Sequence, residues 1–306
     1  MFSKQETELL SLILRSNVQS LHYACESYLN STYGKHCVFV TEDFIYATGD
    51  IPILLVAHLD TVFIDPPKIY SSVEGTVWRS KAGLGADDRA GVFAVLQLVK
   101  KNKSKPSVLF TMDEELGGLG AMAFVKQFPE PPVPTKYVIE IDRRGKGQSV
   151  YYDCGNAKFE EYINSFGFTT HQGIFSDISF ICPTWNVAGV NLSAGYQNEH
   201  TELETLDLEA LAYTKIRVSA MLSKAEEAPY FDFEAKPTSF NRTRYVKCGI
   251  CGSLVSDLYT IPVENVECCY HCINQFVDWC DNCGEPFFVK QEGQKLCEVC
   301  ANESIS

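Results

Sequence analysis

The chain has little of what would place it on nucleic acid or in a membrane. Its 26 Lys and Arg are outnumbered by 39 Asp and Glu, for a formal net charge of −13. No basic run forms a phosphate-binding stripe, so nucleic acid is not an expected partner. No stretch reaches the roughly 18 apolar residues of a membrane span, so membrane contact is not expected either. The opening Met1-Phe2-Ser3-Lys4-Gln5-Glu6 lacks the apolar core of a signal peptide, and the expected location is the cytoplasm. Nothing marks the chain as disordered. With 45% hydrophobic and 21% charged residues over 306 positions, it can bury a substantial core and suggests one large and one small domain.

Hydrophobic periodicity gives the order of elements. Leu9, Leu10, Ile13, Leu14, Val18, Leu21 and Tyr28 recur at helical spacing and predict one amphipathic helix over about 5–29. A hairpin is predicted from 37–40 and 44–47. Residues 51–57 form an apolar run, as in a strand buried on both faces. Helices are predicted over 90–99, 116–127, 156–166 and 206–224, and strands over 107–112, 137–141 and 187–192. Strands alternating with helices imply an α/β fold, a three-layer sandwich with a mostly parallel central sheet. Residues 226–244 carry prolines and aromatics without helical period and are expected to link domain 1–225 to domain 245–306. Tyr230, Phe231, Phe233 and Phe240 could dock on the first domain.

Acids and histidines gather at the ends of these elements. His58 closes an apolar strand and Asp60 follows at i+2, so in extended backbone both side chains leave one face. The carboxylate can then hold the second ring nitrogen of a metal-ligating histidine. Asp87 and Asp88 open an apolar helix, where acids also suit the helix dipole. Asp113, Glu114 and Glu115 follow a strand directly and precede a glycine pair. Three adjacent acids repel one another unless cations compensate them.

Together the segments AHLDTV, GADDRAG, DEELGG, EIDRRG and NEHTE resemble, in order, the motifs of the co-catalytic di-zinc exopeptidase family, which includes zinc aminopeptidases, tripeptidase T and acyl-amino-acid hydrolases. The resemblance covers about residues 1–225. It implies that His58 and Asp142 bind one zinc or other divalent ion, that Glu115 and His200 bind a second, and that Asp88 bridges the two. Asp60 would orient His58, and Glu114 would be the general base toward a water bridged between the ions. Two divalent cations, three carboxylates and one hydroxide would make a neutral cluster, which can be buried without a large desolvation cost. The family's cis peptide after its bridging aspartate would fall at Asp88-Arg89. Only 58 positions separate Asp142 from His200, too few for the lid domain of many relatives, which needs about 100 residues. Arg143 and Arg144 could grip a substrate carboxylate or neutralise local acids, while Ser176-Asp177 and Tyr196 lie on expected loops that could reach the pocket.

Nine of the 13 cysteines fall between Cys248 and Cys300. In a cytosolic chain such pairs indicate metal rather than disulfides. Cys248, Cys251, Cys269, Cys272, Cys280, Cys283, Cys297 and Cys300 make four C-x-x-C pairs, enough for two structural zinc ions in a small zinc-ribbon-like domain. Sequential pairing is favoured over an interleaved one. Cys268 adds an extra thiol, His271 could replace a cysteine, and 287–295 reads as a hairpin turning at Glu292-Gly293. Closed four-thiolate sites have no open coordination position, and the acidic balance of this tail suits a protein partner or self-association.

The expected activity is amide hydrolysis by an aminopeptidase acting on short peptides. Acylated amino acids are an alternative substrate, through a deacylase or amidase. A catalytically vestigial adaptor working through the ribbons is the reading from another class.

Overall fold

The computed structural model describes residues 2–63, 67, 70–72 and 75–234. In the tail it describes 245–252, 254–256, 260–264, 266–269, 272–273, 276–280, 282, 286–290 and 294–303. The chain divides into two compact units, Met1–Lys236 and Pro237–Ser306.

The first unit opens with two helices, α1 (Lys4–Arg15) and α2 (Val18–Tyr33), where one was expected. The break is chemical. Ser16 leaves the helix in extended backbone, and the Asn17 side chain accepts from the N–H of Ser20 at 2.8 Å, capping a new helix. The expected hairpin follows as β1 (Val38–Val40) and β2 (Phe44–Ala47), then β3 (Ile51–His58), β4 (Tyr70–Ser72) and β5 (Val77–Ser80). The chain continues through α3 (Ala86–Lys101), β6 (Pro106–Thr111), α4 (Leu119–Gln127), β7 (Tyr137–Arg143), β8 (Gln148–Val150), α5 (Ala157–Asn164) and β9 (Thr169–Thr170). It ends with α6 (Ile178–Trp185), β10 (Gly189–Ser193), β11 (Tyr196–Gln197), β12 (Thr205–Asp207) and α7 (Leu208–Ser223).

Eight strands form the main sheet in the order β1-β2-β6-β3-β7-β10-β8-β9. The central four, β6, β3, β7 and β10, are parallel, while β2 and β8 join them antiparallel. Alternation along β3 creates the layers: Ile53, Leu55 and Ala57 enter one core with residues of α1, α2, α3 and α7, whereas Leu54 and Val56 enter another with Phe124, Ile178 and Trp185. The unit is a three-layer α/β sandwich with a mostly parallel sheet, as expected.

Two features of this sheet position the site. After β3 the chain adds β6 on one side, then crosses to add β7 on the other, so order reverses around β3. Crevices at such a reversal, outside the carboxyl ends of parallel strands, are the usual ligand position in open α/β sheets. A second, four-stranded sheet, β11-β12-β5-β4, was not expected from the sequence. Its β12–β5 pairing opposes Leu206 to Trp78, setting the 198–204 loop beside the 81–87 segment.

The segment after α7 belongs to this unit rather than to a linker. Ala225, Ala228 and Phe231 are buried in its core, and Phe231 exchanges backbone hydrogen bonds with Lys136 (3.1 Å) and Ala188 (2.7 Å).

Among the described residues the second unit contains three short antiparallel pairs: Tyr245–Lys247 with Leu254–Ser256, Thr260–Val263 with Val266–Cys269, and Val277–Trp279 with Pro286–Phe288. Two of these pairs flank the C-x-x-C-G segments at Cys248 and Cys280, as in a zinc ribbon. The hairpin expected over 287–295 is not the pairing seen. Pro286–Phe288 pairs upstream, and Glu292-Gly293 lies outside the described residues.

Candidate active site

His58 ends β3, Glu114 and Glu115 follow β6, and Asp142 lies near the end of β7, so three neighbouring strands deliver side chains to one rim. His200 reaches the same rim from the loop between β11 and β12, with φ 62°. Asp60 ties two of these segments together. Its Oδ1 lies 3.3 Å from His58 Nδ1, and its two oxygens accept the backbone N–H groups of Glu114 (3.2 Å) and Glu115 (3.1 Å).

The structure corrects the expected bridge. Asp87, not Asp88, stands between the two histidines: Oδ1 is 3.2 Å from His58 Nε2 and Oδ2 is 3.2 Å from His200 Nε2. Asp142 Oδ1 lies 3.5 Å from His58 Nε2, and Glu115 Oε2 lies 2.9 Å from His200 Nε2. Two His–carboxylate pairs therefore share one further carboxylate. Asp88 points away, fully buried, and its Oδ1 accepts the N–H of Gly91 at 3.0 Å. Both aspartates have non-helical backbone, which turns the first toward the rim and the second into the core. The cis peptide correspondingly joins Asp87 to Asp88 rather than Asp88 to Arg89. Glycine is required at position 91, because an added Cβ would stand 2.0 Å from Ile141 O and 2.4 Å from Asp88 Oδ2.

The electrostatics mark a cation site. Burial disfavours charge on His58, but Asp60 and Asp142 outweigh it and hold its pKa well above the ordinary value. Hydrogen bonds to Asp87 and Glu115 push His200 up to about 10. Burial, with Asp87 beside it, pushes Asp142 up to about 7. Burial also holds Glu114 well above the carboxylate range, with Asp142 and Asp177 adding to it against His58. So many acids in one buried place cannot all ionise without compensating cations. A metal fits instead. Donor atoms of His58, Asp87 and Glu115 lie within 4.8 Å of one another, and Glu115 Oε1 is buried without a hydrogen-bond partner. Glu114 Oε2 lies 3.9 Å from His58 Nε2, beside this set.

The weaker substrate candidates are engaged elsewhere. Arg143 donates to Gln148 Oε1 (3.3 Å) and the Gln172 carbonyl (3.2 Å), and Arg144 pairs with Glu199 at 2.6 Å. Asp177 is fully buried and accepts from Thr111 Oγ1. Tyr196, also buried, donates to Asp142, with its hydroxyl 2.7 Å from the carbonyl and 3.0 Å from Oδ1. Tyr196 and Asp177 thus support the rim rather than line it.

Behind Asp142 lies a network not expected from the sequence. Ser176 Oγ reaches Glu140 and Asp142 Oδ2 (3.2 Å), and Asn191 accepts the Asp142 N–H at 2.8 Å. Burial holds Glu140 well above the carboxylate range, next to the charges of Asp142 and Asp177.

In the second unit, Cys248, Cys251, Cys269 and Cys272 bring their sulfurs within 4.8 Å of one another, and so do Cys280, Cys297 and Cys300. Cys283 and His271 lie outside the described residues. Burial would raise Cys248, but N–H donors from Cys269, Cys251 and Ile250 outweigh it and bring it down to about 6, toward the thiolate that metal requires. Cys268 stays out of the quartet and packs with Val263 and Ile273.

Residues 45–179 match Peptidase family M28. A curated fungal protein described as a probable carboxypeptidase, from Emericella nidulans, is 39% identical over 97 residues, covering 28% of this chain and 22% of that protein. The chain thus spans about a fifth of the curated relative it matches. Among solved structures, a tripeptidase from Staphylococcus aureus superposes with TM-score 0.59 at 13% identity, covering 74% of this chain and all of that one (100%). A TET aminopeptidase from a marine sediment archaeon gives TM-score 0.58 at 13% identity, covering 74% and 99%. Aminopeptidase PepT from Bacillus cereus gives 0.54 at 16%, covering 72% and 98%. At these identities the likeness is one of fold.

Proposed function

We propose, from the match of residues 45–179 to Peptidase family M28, that this chain is a metal-dependent peptide hydrolase, and more narrowly an aminopeptidase acting on short peptides. The observation that carries the reading is Asp87 with one oxygen on each of two His–carboxylate pairs. His58 and Asp142 would hold one divalent ion, Glu115 and His200 the other, and Asp87 both. When bound, two such ions supply Lewis acidity, lowering the pKa of water from about 15.7 toward about 7 and polarising a carbonyl.

The protein's own residues do the rest. Glu114 is next to the ligands without belonging to either set, and its raised pKa suits a group that takes a proton from water and passes it to the leaving amine. Asp60 fixes the His58 ring and the backbone of Glu114 and Glu115 together, so base and ligands keep one geometry.

Removal from the N-terminus rather than the C-terminus is supported by the two arginines. A carboxylate clamp needs a free guanidinium, whereas Arg143 and Arg144 are held by Gln148, Gln172 and Glu199. The solved relatives named as aminopeptidases and a tripeptidase favour the same direction. The tail is proposed to bind two zinc ions, pairing its cysteines sequentially. It is proposed to contact protein rather than substrate.

The test is incubation of the full chain, loaded with zinc, with mixed short peptides and mass spectrometry of the products. Ladders that lose N-terminal residues support the proposal. Losses from the C-terminus, or cleavage of N-acylated amino acids alone, would overturn the narrower reading.

A further inference from the structure

Glu204 is a fully buried carboxylate outside every motif identified in the sequence. It lies four residues after His200, yet its partners are some 120 residues away. Oε2 accepts the N–H groups of Leu84 (3.0 Å) and Gly85 (2.6 Å), and Oε1 accepts those of Ala86 (3.0 Å) and Asp87 (3.0 Å). Left-handed backbone at Gly83 (φ 80°) and Gly85 (φ 64°) turns successive N–H groups toward one point, an anion-binding concavity. The cap residue of this helix, Gly85, has no side chain with which to satisfy those donors. Glu204 supplies the missing acceptor from the other side of the site.

We propose that Glu204 is a positioning residue that locks Asp87 and His200 into register for the metal they would share. Its own segment is a closed turn: Thr201 donates to the Asn198 carbonyl (2.8 Å), Leu203 N–H reaches Thr201 Oγ1 (3.2 Å), and Glu204 N–H reaches the Thr201 carbonyl (3.1 Å). His200 rides on this turn with its side chain half exposed, so packing does little to fix it. The carboxylate joins this turn to the Asp87 turn. His58 and Asp142, by contrast, stand on adjacent strands of the main sheet and need no such link. The inference rests on the proposed two-metal reading and predicts an asymmetric defect within it.

Glu204→Gln is the informative change, because an amide has one acceptor oxygen and its NH₂ would face two N–H donors. The full chain, stripped of metal, is titrated with Mn²⁺, which suits carboxylate-rich sites over the thiolate sites of the tail. Binding is followed by loss of the free-ion EPR signal. One of the two binding steps should weaken by about 10- to 100-fold, the range for outer partners of metal ligands, while the other changes less than about threefold. Glu204→Asp, which keeps the charge, should show a smaller loss at the same step.

Equal weakening of both steps, or none, overturns the proposal. If the wild-type chain binds no Mn²⁺ at these residues, the two-metal reading falls and this inference with it. Hydrogen exchange on the wild type tests the link without any variant. Amides 84–87 should be protected and should open together with 198–204; free exchange of those four amides would overturn the proposal even if neither variant folds.

Discussion

Replacing Asp87 and Asp88 separately by Asn changes neither size nor shape, so the pair isolates charge and direction. In Asp87→Asn, one oxygen remains for one His–carboxylate pair, an NH₂ group faces the other, and the site loses a negative charge shared by both ions. Outer partners of metal ligands cost about 10- to 100-fold in affinity. A shared ligand should reach at least the top of that range for each ion, about 2.8 kcal/mol each at 1.4 kcal/mol per decade. Asp88→Asn should do far less. Burial and the neighbouring Asp142 raise the Asp88 pKa well above its ordinary value, which disfavours its charged form, and an amide oxygen can still accept from Gly91. The cost should stay near one neutral hydrogen bond, about 1 kcal/mol, with metal affinity within about threefold. Each variant is dialysed against a weak chelator and its zinc counted by mass spectrometry, the tail's zinc serving as an internal standard. Two zinc equivalents should leave Asp87→Asn and none should leave Asp88→Asn. The reverse pattern would refute the geometry on which the site is built.

Two further outcomes concern the first unit as a whole. Glu6 is drawn down to about 2, because Lys215 at 2.7 Å and the Ser3 N–H at 2.8 Å outweigh its partial burial. Its folded pKa lies below the unfolded value of about 4.3, so its contribution is present above that pH and fades as pH falls toward 2. Discounted for partial exposure, Glu6→Gln should cost about 1 kcal/mol at pH 7 and nothing near pH 2, read by urea unfolding; an equal cost at both would refute the pairing. A chain ending at Lys236 should unfold cooperatively, whereas one ending at Lys224 loses the buried Phe231 and its backbone bonds to the sheet, a loss of about 3 kcal/mol or more. Equal melting temperatures for the two would show that 225–236 is a linker after all.

How much of this was legible depends on the range of the interactions. His58, Glu114, Glu115 and Asp142 could be placed because each follows an apolar strand, and strands that long announce themselves by burial on both faces. The expectation of Asp88 rather than Asp87 as the shared carboxylate differs from the geometry, since the choice turns on two non-helical backbone pairs that a helical pattern conceals. The small second sheet is built of strands of two to four residues, too short for alternation to show. Helix α6 has only 8 residues and contains Pro183, so its period is hidden. Tyr196, Asp177 and the arginines were visible as polar residues near the rim, but their partners lie on other segments. Glu204 carries no signal at all, because its burial depends on four backbone donors from a distant turn.

The most direct test of the central claim is Glu114→Gln in the zinc-loaded full chain, with peptide turnover and metal content measured on the same sample. Glu114 neighbours the ligands without bridging them, so the variant should keep both active-site ions and lose at least about 10²- to 10⁴-fold in rate. Near-normal turnover, or turnover lost together with the metals, would contradict the assignment of Glu114 as the base in a two-metal site.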